Sequence, residues 1–358
     1  MATLNIDDIV DLTTASRPHE GLGKMNDIAS RLTHYDFVTY MIKNDKIAYD
    51  GGTSIKGNLV TDHNSSAAMV GLHEVIEPNI PDVMQKFEVP WRHINSWYAY
   101  ERREILANTA GKTLAQVVDI LETRRIPARI SEAELLETQW WTQNPSTSDE
   151  KNLFGIRYWL PQTTAAGRGF NAGLPSGFTT IAGLNPTTYS RWGVYRASYA
   201  SATEDDLLLE MNFAADECDF VPPVDIEEHK SGVGKNHRIC LNLATKVALE
   251  TEMRRRNDTH SSLSDFANAT SFRNSPLRYI PKLNSVTNSD SGGTATSDPV
   301  YMLNMAYVHI GCLSGDEMFE HPPMNDVKQP NTYVVHRDAS LNPVMSSRRT
   351  QAVINKIA

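Results

Sequence analysis

WRHINSWYAYERREILANTAGKTLAQVVDILETRRIPARISEAELLETQWWTQN, residues 91–144, is the stretch on which the fold class turns. Trp91, Trp97, Tyr98 and Tyr100 make its first part aromatic and β-prone. Leu114, Val117, Val118 and Leu121 then follow the i, i+3, i+4, i+7 spacing of an amphipathic helix. Pro127 has no amide hydrogen and is expected to kink or break that helix. Ser131-x-x-Glu134 reads as a capping box that restarts it. Ala133, Leu136 and Trp140 then share one face. A strand feeding a long, kinked helix that ends at Asn144-Pro145 predicts an α+β protein.

C-terminal to this stretch, Phe154, Ile156, Tyr158 and Leu160 alternate as a strand would. Gln162 to Pro186 is rich in Gly, Thr and Ala and reads as a mobile loop. Val194, Arg196 and Ser198 alternate with Tyr195, Ala197 and Tyr199, which predicts another strand. Thr203 is the expected cap of the next helix, with Glu204, Asp205 and Asp206 at the positive end of its dipole. Leu207, Met211, Ala214 and Cys218 form its apolar stripe. A strand over Arg238 to Leu241 leads to a helix from about Leu243. That helix ends in Arg254, Arg255 and Arg256, where cations suit the dipole, with Asn257 as its stop. Asn284 to Asp298 reads as an exposed flexible loop; Val300 to Ile310 and Thr332 to Arg337 read as strands.

N-terminal to the stretch, residues 1–45 carry sparse apolar positions (Ile6, Ile9, Leu12, Ile28, Leu32) broken by Pro18, Gly21 and Gly23. Such a segment cannot offset its own chain entropy, so it is either disordered or laid along another surface. A ribbon follows the turn at Asp50-Gly51-Gly52: Ser54 to Thr61 outward, Asp62 to Ser66 as a polar tip, and Ala67 to Ile76 returning. An isolated two-stranded ribbon is marginal in water, so this one is expected to gain stability from outside its own domain.

The 358 residues include 34 Lys+Arg and 43 Asp+Glu, a net charge of −9. That balance argues against a protein held to nucleic acid by phosphate neutralisation, though not against one that stands beside it. With 40% hydrophobic and 22% charged residues, the chain can bury a sizeable core. No apolar run is long enough to predict a membrane helix, and the acidic start lacks a signal-peptide pattern. Three cysteines are too few for a disulfide framework, so a reducing compartment is the expectation.

Several motifs lose their chemical reading on inspection. Gly167 to Ala172 has the letters of a dinucleotide fingerprint, but Gly173, Pro175 and Gly177 prevent the helix that motif requires. Gly232 to Asn236 lacks both the first glycine and the Ser/Thr of a phosphate loop, and reads as a turn. His237-x-x-Cys240 and His309-x-x-Cys312 could suggest zinc, but residues three apart in a strand point to opposite faces. Those cysteines, like Cys218, are expected to be buried. Asp205-Asp206, Glu227-Glu228 and Arg254–Arg256 read as a helix start, a solvated loop and a helix end. No catalytic, cofactor-binding or metal-binding residue is predicted, and no cofactor.

The order of five segments carries a resemblance. GLNPTTYSRWGVYRASYASATEDDLLLEM (183–211), HRICLNLATKVALETEMRRRND (237–258), SFRNSPLRYIPKLN (271–284), DPVYMLNMAYVHIGCL (298–313) and SSRRTQAV (346–353) follow the long helix. In that order and spacing the chain resembles the major capsid proteins of tailed bacteriophages. The resemblance implies an N-terminal arm (1–45), an E-loop hairpin (46–90), a P-domain with a long spine helix (91–165), an A-domain (166–310) and a C-terminal return to the P-domain (311–358). It implies self-assembly, as hexamers and pentamers, into the icosahedral head of a double-stranded DNA phage, with Lys56, Asp62, His63 and Asn64 of the hairpin as candidate subunit-contact residues. Scaffolding protein and portal are the partners it implies, packaged DNA lies nearby, and no membrane is involved. The virion is the expected location, after assembly in the host bacterial cytoplasm. The alternatives are an encapsulin-like nanocompartment shell and, further off, a thiol- or zinc-dependent enzyme.

Overall fold

Alternating aromatic and polar residues make Arg92–Glu101 a ten-residue strand, and it pairs antiparallel with Thr332–Met345 from Arg92↔Leu341 to Glu101↔Thr332. The computed structural model describes residues 35–39, 46–62, 67, 69–72, 83–109, 114–162, 167–218, 237–256, 271–273, 275–286, 288–289 and 295–357. Within them, that strand pair anchors a six-stranded sheet with Lys46–Tyr49, Val308–Leu313, Phe319–Glu320 and Met324–Asn325. Lys46–Tyr49 therefore belongs to this sheet, parallel to Val308–Leu313, rather than to the ribbon that follows it.

The long helix Leu114–Thr142 covers one face of the sheet. At about 1.5 Å per residue its 29 residues span roughly 43 Å. The buried Glu132 carboxylate pairs with Arg337 at 3.3 Å and accepts the Ser96 hydroxyl at 3.3 Å. Glu320 is held by Arg125 at 2.6 Å and Arg129 at 3.1 Å. The expected break does not occur: the helix is continuous through Pro127, and Ser131 lies in its interior. Pro127 is exposed, and the packing of the helix on the sheet outweighs the backbone hydrogen bond that proline removes.

The second sheet has eight strands. Arg168–Asn171, Val194–Tyr199, Ala352–Ile357, Ala295–Asn304, His237–Leu241, Ser275–Tyr279 and Ser271–Phe272 follow in that order, with Asn288–Ser289 paired to Ala295–Asn304. The SSRRTQAV segment thus leads into the middle of this sheet, not back to the first one. The next helix opens with a π turn, Glu204–Leu208, and continues as Leu209–Cys218; its stripe Leu207, Met211, Ala214, Cys218 is buried as the spacing predicts. Thr203 occupies the cap position but its hydroxyl makes no capping bond. Asp206 instead accepts the amides of Ala200 and Ser201 at 2.8 Å. Leu243–Arg256 is helical, as its sequence predicts, while Asn257 and the Gly232–Asn236 turn lie outside the described residues.

Four further expectations are corrected. Val300 to Ile310 is not one strand: the turn Met305–Tyr307 divides Ala295–Asn304 of the eight-stranded sheet from Val308–Leu313 of the six-stranded one. Phe154 to Leu160 is not a strand: Ile156–Trp159 is a short helix, and all four of its residues are buried. Gln162 to Pro186 is not a loop over the surface. It contributes a strand, and Ile181, Ala182 and Leu184 are in the core, with positive φ at Gly173, Gly177 and Gly183 letting the chain turn sharply inward. Asn284 to Asp298 is shortened from both ends, because Val286 is buried and the strand starts at Ala295.

Between the sheets lies one apolar core containing Trp140, Trp141, Trp159, Tyr301, Ile310, Leu341 and Met345. Gly155 lets the short helix enter it. A Cβ on Gly155 would fall 2.5 Å from the Gln139 carbonyl oxygen and 2.8 Å from that of Trp140. Both are backbone atoms at the end of the long helix and cannot rotate away. Gly155→Ala is therefore expected to cost about 1–3 kcal/mol by overpacking, read as a lower midpoint in chemical denaturation of the subunit.

Candidate assembly surfaces

The ribbon pairs Ser54–Val60 with Met84–Pro90, in the register Ile55↔Val89, Gly57↔Phe87, Val60↔Met84. Ala67 to Ile76 is not its second strand: residues 67 and 69–72 are not in a strand, and 73–76 lie outside the described residues. Packing decides the register. Ile55, Phe87 and Val89 are buried on one face, with Ile55 against Gly311, where a Cβ would fall 2.5 Å from its methyl carbon. The Phe87 ring lies directly over Gly57, 2.2 Å from where a Cβ would stand. The Glu88 amide donates to the Ala182 carbonyl at 2.9 Å, and the Tyr158 hydroxyl accepts the Ala182 amide at 2.9 Å. The ribbon's root is thus built into the subunit's own core.

Its far end is different. Val60 and Met84 are half-exposed, and Met69 and Leu72 stand at 102% and 96% exposure. Apolar side chains gathered on one projecting element mark a surface that another protein covers. Of the predicted contact residues, Lys56 forms an exposed cross-strand pair with Glu88 at 3.5 Å, and Asp62 forms an exposed pair with Arg191 at 3.5 Å. The Ser54 hydroxyl, helped by Lys56, holds the Glu88 carboxyl below the usual carboxylate range. His63 and Asn64 lie outside the described residues. Sequence reading passed over the apolar residues of the tip, Met69 and Leu72.

A second uncovered surface is the face of the six-stranded sheet opposite the long helix. Ser96 bonds Glu132 on the helix side, so its neighbour Trp97 points away, 65% exposed. On the same face the His321 Nε2 lies 3.0 Å from Asp338, and the His93 Nδ1 lies 2.7 Å from the Ser340 hydroxyl, which donates to Asp316. Here serine stands between histidine and aspartate. A nucleophilic relay needs the histidine in the middle, so this order is that of a structural hydrogen-bond chain. Among the described residues no group of three or more His, Cys, Asp or Glu side chains is placed to hold a metal ion. His237 and Cys240 belong to the eight-stranded sheet and His309 and Cys312 to the six-stranded one, with all three cysteines buried.

The backbone that carries this ribbon, the long helix and the two sheets follows that of a solved shell subunit. The subunit of the cyanophage A-1(L) capsid matches 94% of this chain, and 97% of that subunit is covered, with a TM-score of 0.57 at 12% identity. This chain has the tailed-phage major capsid fold. The capsid of a native GTA particle matches 96% of the chain with 95% of its own covered, at TM-score 0.51 and 9% identity. Gordonia phage Cozz matches 96% with 92% covered, at TM-score 0.50 and 10% identity. No protein-family model and no curated protein matches the sequence. The likeness to capsid subunits therefore lies in the path of the backbone, and the α+β capsid fold expected from the segment order is present.

Proposed function

We propose that this chain is the major capsid protein that self-assembles into the icosahedral head of a tailed double-stranded DNA phage, enclosing the packaged genome. The carrying observation is the mutual coverage: 94% of the chain lies within a capsid subunit that is itself 97% covered. The role is mechanical rather than catalytic. Subunits form hexamers and pentamers through heterologous contacts that close into rings, and obligate interfaces of this kind bury roughly 2,000–5,000 Å².

In this reading residues 1–45 are the arm, 46–90 hold the E-loop, 91–165 the P-domain, 166–310 the A-domain, and 311–358 return towards the P-domain before the terminal strand. Lys56, Asp62, His63 and Asn64 lie at subunit contacts. The exposed pairs of Lys56 and Asp62 suit that role, because such pairs are worth only about 0–1 kcal/mol and exchange partners readily. A scaffolding protein and a portal take part in assembly in the host cytoplasm, and the finished protein resides in the virion. The net charge of −9 keeps packed DNA from adhering to the wall.

The test is sedimentation and electron microscopy of the expressed chain and of particles from a lysate that contains it. Closed shells protecting DNA from nuclease are the expected result. Shells filled with enzyme and free of DNA would assign the chain to a nanocompartment instead. A chain that stays monomeric or dimeric under all conditions, and is missing from the particles, refutes a shell role.

A further inference from the structure

We propose that residues 35–39 are a proton-controlled clip, seating the chain just before the six-stranded sheet on its own long helix through the buried carboxyl of Glu137. The segment is one helical turn, with the Thr39 amide donating to the Tyr35 carbonyl at 3.0 Å. Phe37 is 2% exposed and stacks on Trp140, with ring centres 4.6 Å apart and planes at 12°. The amides of Phe37 and Val38 donate to the two oxygens of Glu137 at 3.2 and 3.1 Å, across about a hundred residues of sequence. The Trp141 indole donates to the same carboxyl at 2.7 Å. Two adjacent amides of a short turn, which have no partner within the turn itself, are thus satisfied by a side chain of the long helix.

Glu137 is fully buried, and these three partners are uncharged N–H groups. The ionisable groups around the seat come from each packed element. Asp36, on the clip, pairs with Arg238 of the strand His237–Leu241 at 3.4 Å. Cys240 of that strand and Tyr301 of the adjacent one are buried, and burial pushes the Cys240 thiol well above its ordinary range and the Tyr301 hydroxyl upward, so both are neutral at pH 7. Burial is the largest influence on Glu137 and pushes its carboxyl up to about 7, against the pull of the three N–H donors.

The direction of control follows from the two states of the clip. Seated, the Glu137 carboxyl is held up at about 7; release takes away the two amide donors but also opens the carboxyl to water, and because burial is the larger influence the carboxyl returns towards its ordinary range. The seated state therefore binds the extra proton. Lowering the pH from 8 towards 5 tightens the clip, and raising it through 7 loosens it. This holds in the unassembled subunit and does not depend on the shell reading.

Hydrogen exchange of the Phe37 and Val38 amides in the full-length, unassembled chain tests the proposal, with rates corrected for the intrinsic pH dependence of exchange. Their protection is expected to be about tenfold lower at pH 8 than at pH 6, while amides of the strand Val194–Tyr199 keep the same protection. Glu137→Gln should abolish the difference between the two pH values. Phe37→Ala should lower protection at both and keep the difference. Equal wild-type protection at pH 6 and 8, a slope that survives Glu137→Gln, or a slope shared with Val194–Tyr199 would each overturn the clip. Should Glu137→Gln fail to fold, carboxyl NMR of the wild type decides: a midpoint near 7 supports the proposal and one in the ordinary carboxylate range refutes it.

Discussion

Arg348→Ala is expected to lower subunit stability by at least about 3 kcal/mol, measured by chemical denaturation. The side chain is completely buried. Its Nε donates to the Trp159 carbonyl at 2.9 Å, its Nη1 to those of Trp192 and Ala172 at 3.0 and 3.3 Å, and its Nη2 to that of Gly173 at 2.5 Å. One guanidinium thus ties together the end of the short helix, the turn before Val194 and the inward turn at Gly173, all from the linker between two strands of different sheets. Truncation leaves up to four buried carbonyl oxygens short of a donor and opens a cavity beside the Trp192 ring, which now lies 5.8 Å from the guanidinium carbon. Arg348→Lys should recover only part of the loss, since an ammonium cannot span carbonyls placed around a planar fork. A variant Arg348→Ala as stable as the parent would show that water or repacking serves these carbonyls equally well.

The second large effect concerns assembly and rests on the capsid reading. A triple variant, Met69→Ser, Val70→Ser and Leu72→Ser, should leave the subunit folded, with stability within about 0.5 kcal/mol of wild type, because Met69 and Leu72 are almost fully exposed, Val70 is half-exposed, and none of the three belongs to the buried core. Closed particles should nevertheless be lost in sedimentation. Covering Met69 and Leu72 on a neighbour is worth about 1.5–3 kcal/mol for each side chain, and every copy in a shell would forgo it. Wild-type particle yield from the triple variant would remove the ribbon's far end from the assembly mechanism.

What the sequence disclosed, and what it hid, follows from how local the deciding forces are. Val194–Tyr199 was legible because its residues alternate with the period of a strand, and Leu243–Arg256 because three successive cations, Arg254 to Arg256, mark the end of a helix. Ile156–Trp159 was misread because the alternation of Phe154, Ile156, Tyr158 and Leu160 means little when Arg157 and Trp159 between them are buried too. Pro127 carries a local penalty that the packing of the rest of the helix outweighs. The ribbon's return strand was misplaced because its register is set by Ile55, Phe87 and Val89 packing on Gly311 and Ala182, which are distant in sequence. Lys56 and Asp62 were visible as charges, but their partners Glu88 and Arg191 are fixed only by the folded backbone. The Glu137 seat left no trace in the sequence, since nothing near Phe37 announces a carboxylate a hundred positions away.

The ladder between Arg92–Glu101 and Thr332–Met345 joins residues far apart in sequence, such as His93 and Ser340, which are 247 positions apart. Closing so long a span costs entropy before any pairing repays it, and topologies of this kind fold slowly. While the ladder is open, both strands expose hydrogen-bonding edges that any other nascent copy can take up. A cell making this protein in bulk therefore runs a race between completing each molecule and entangling many, and the rate of synthesis sets which side prevails.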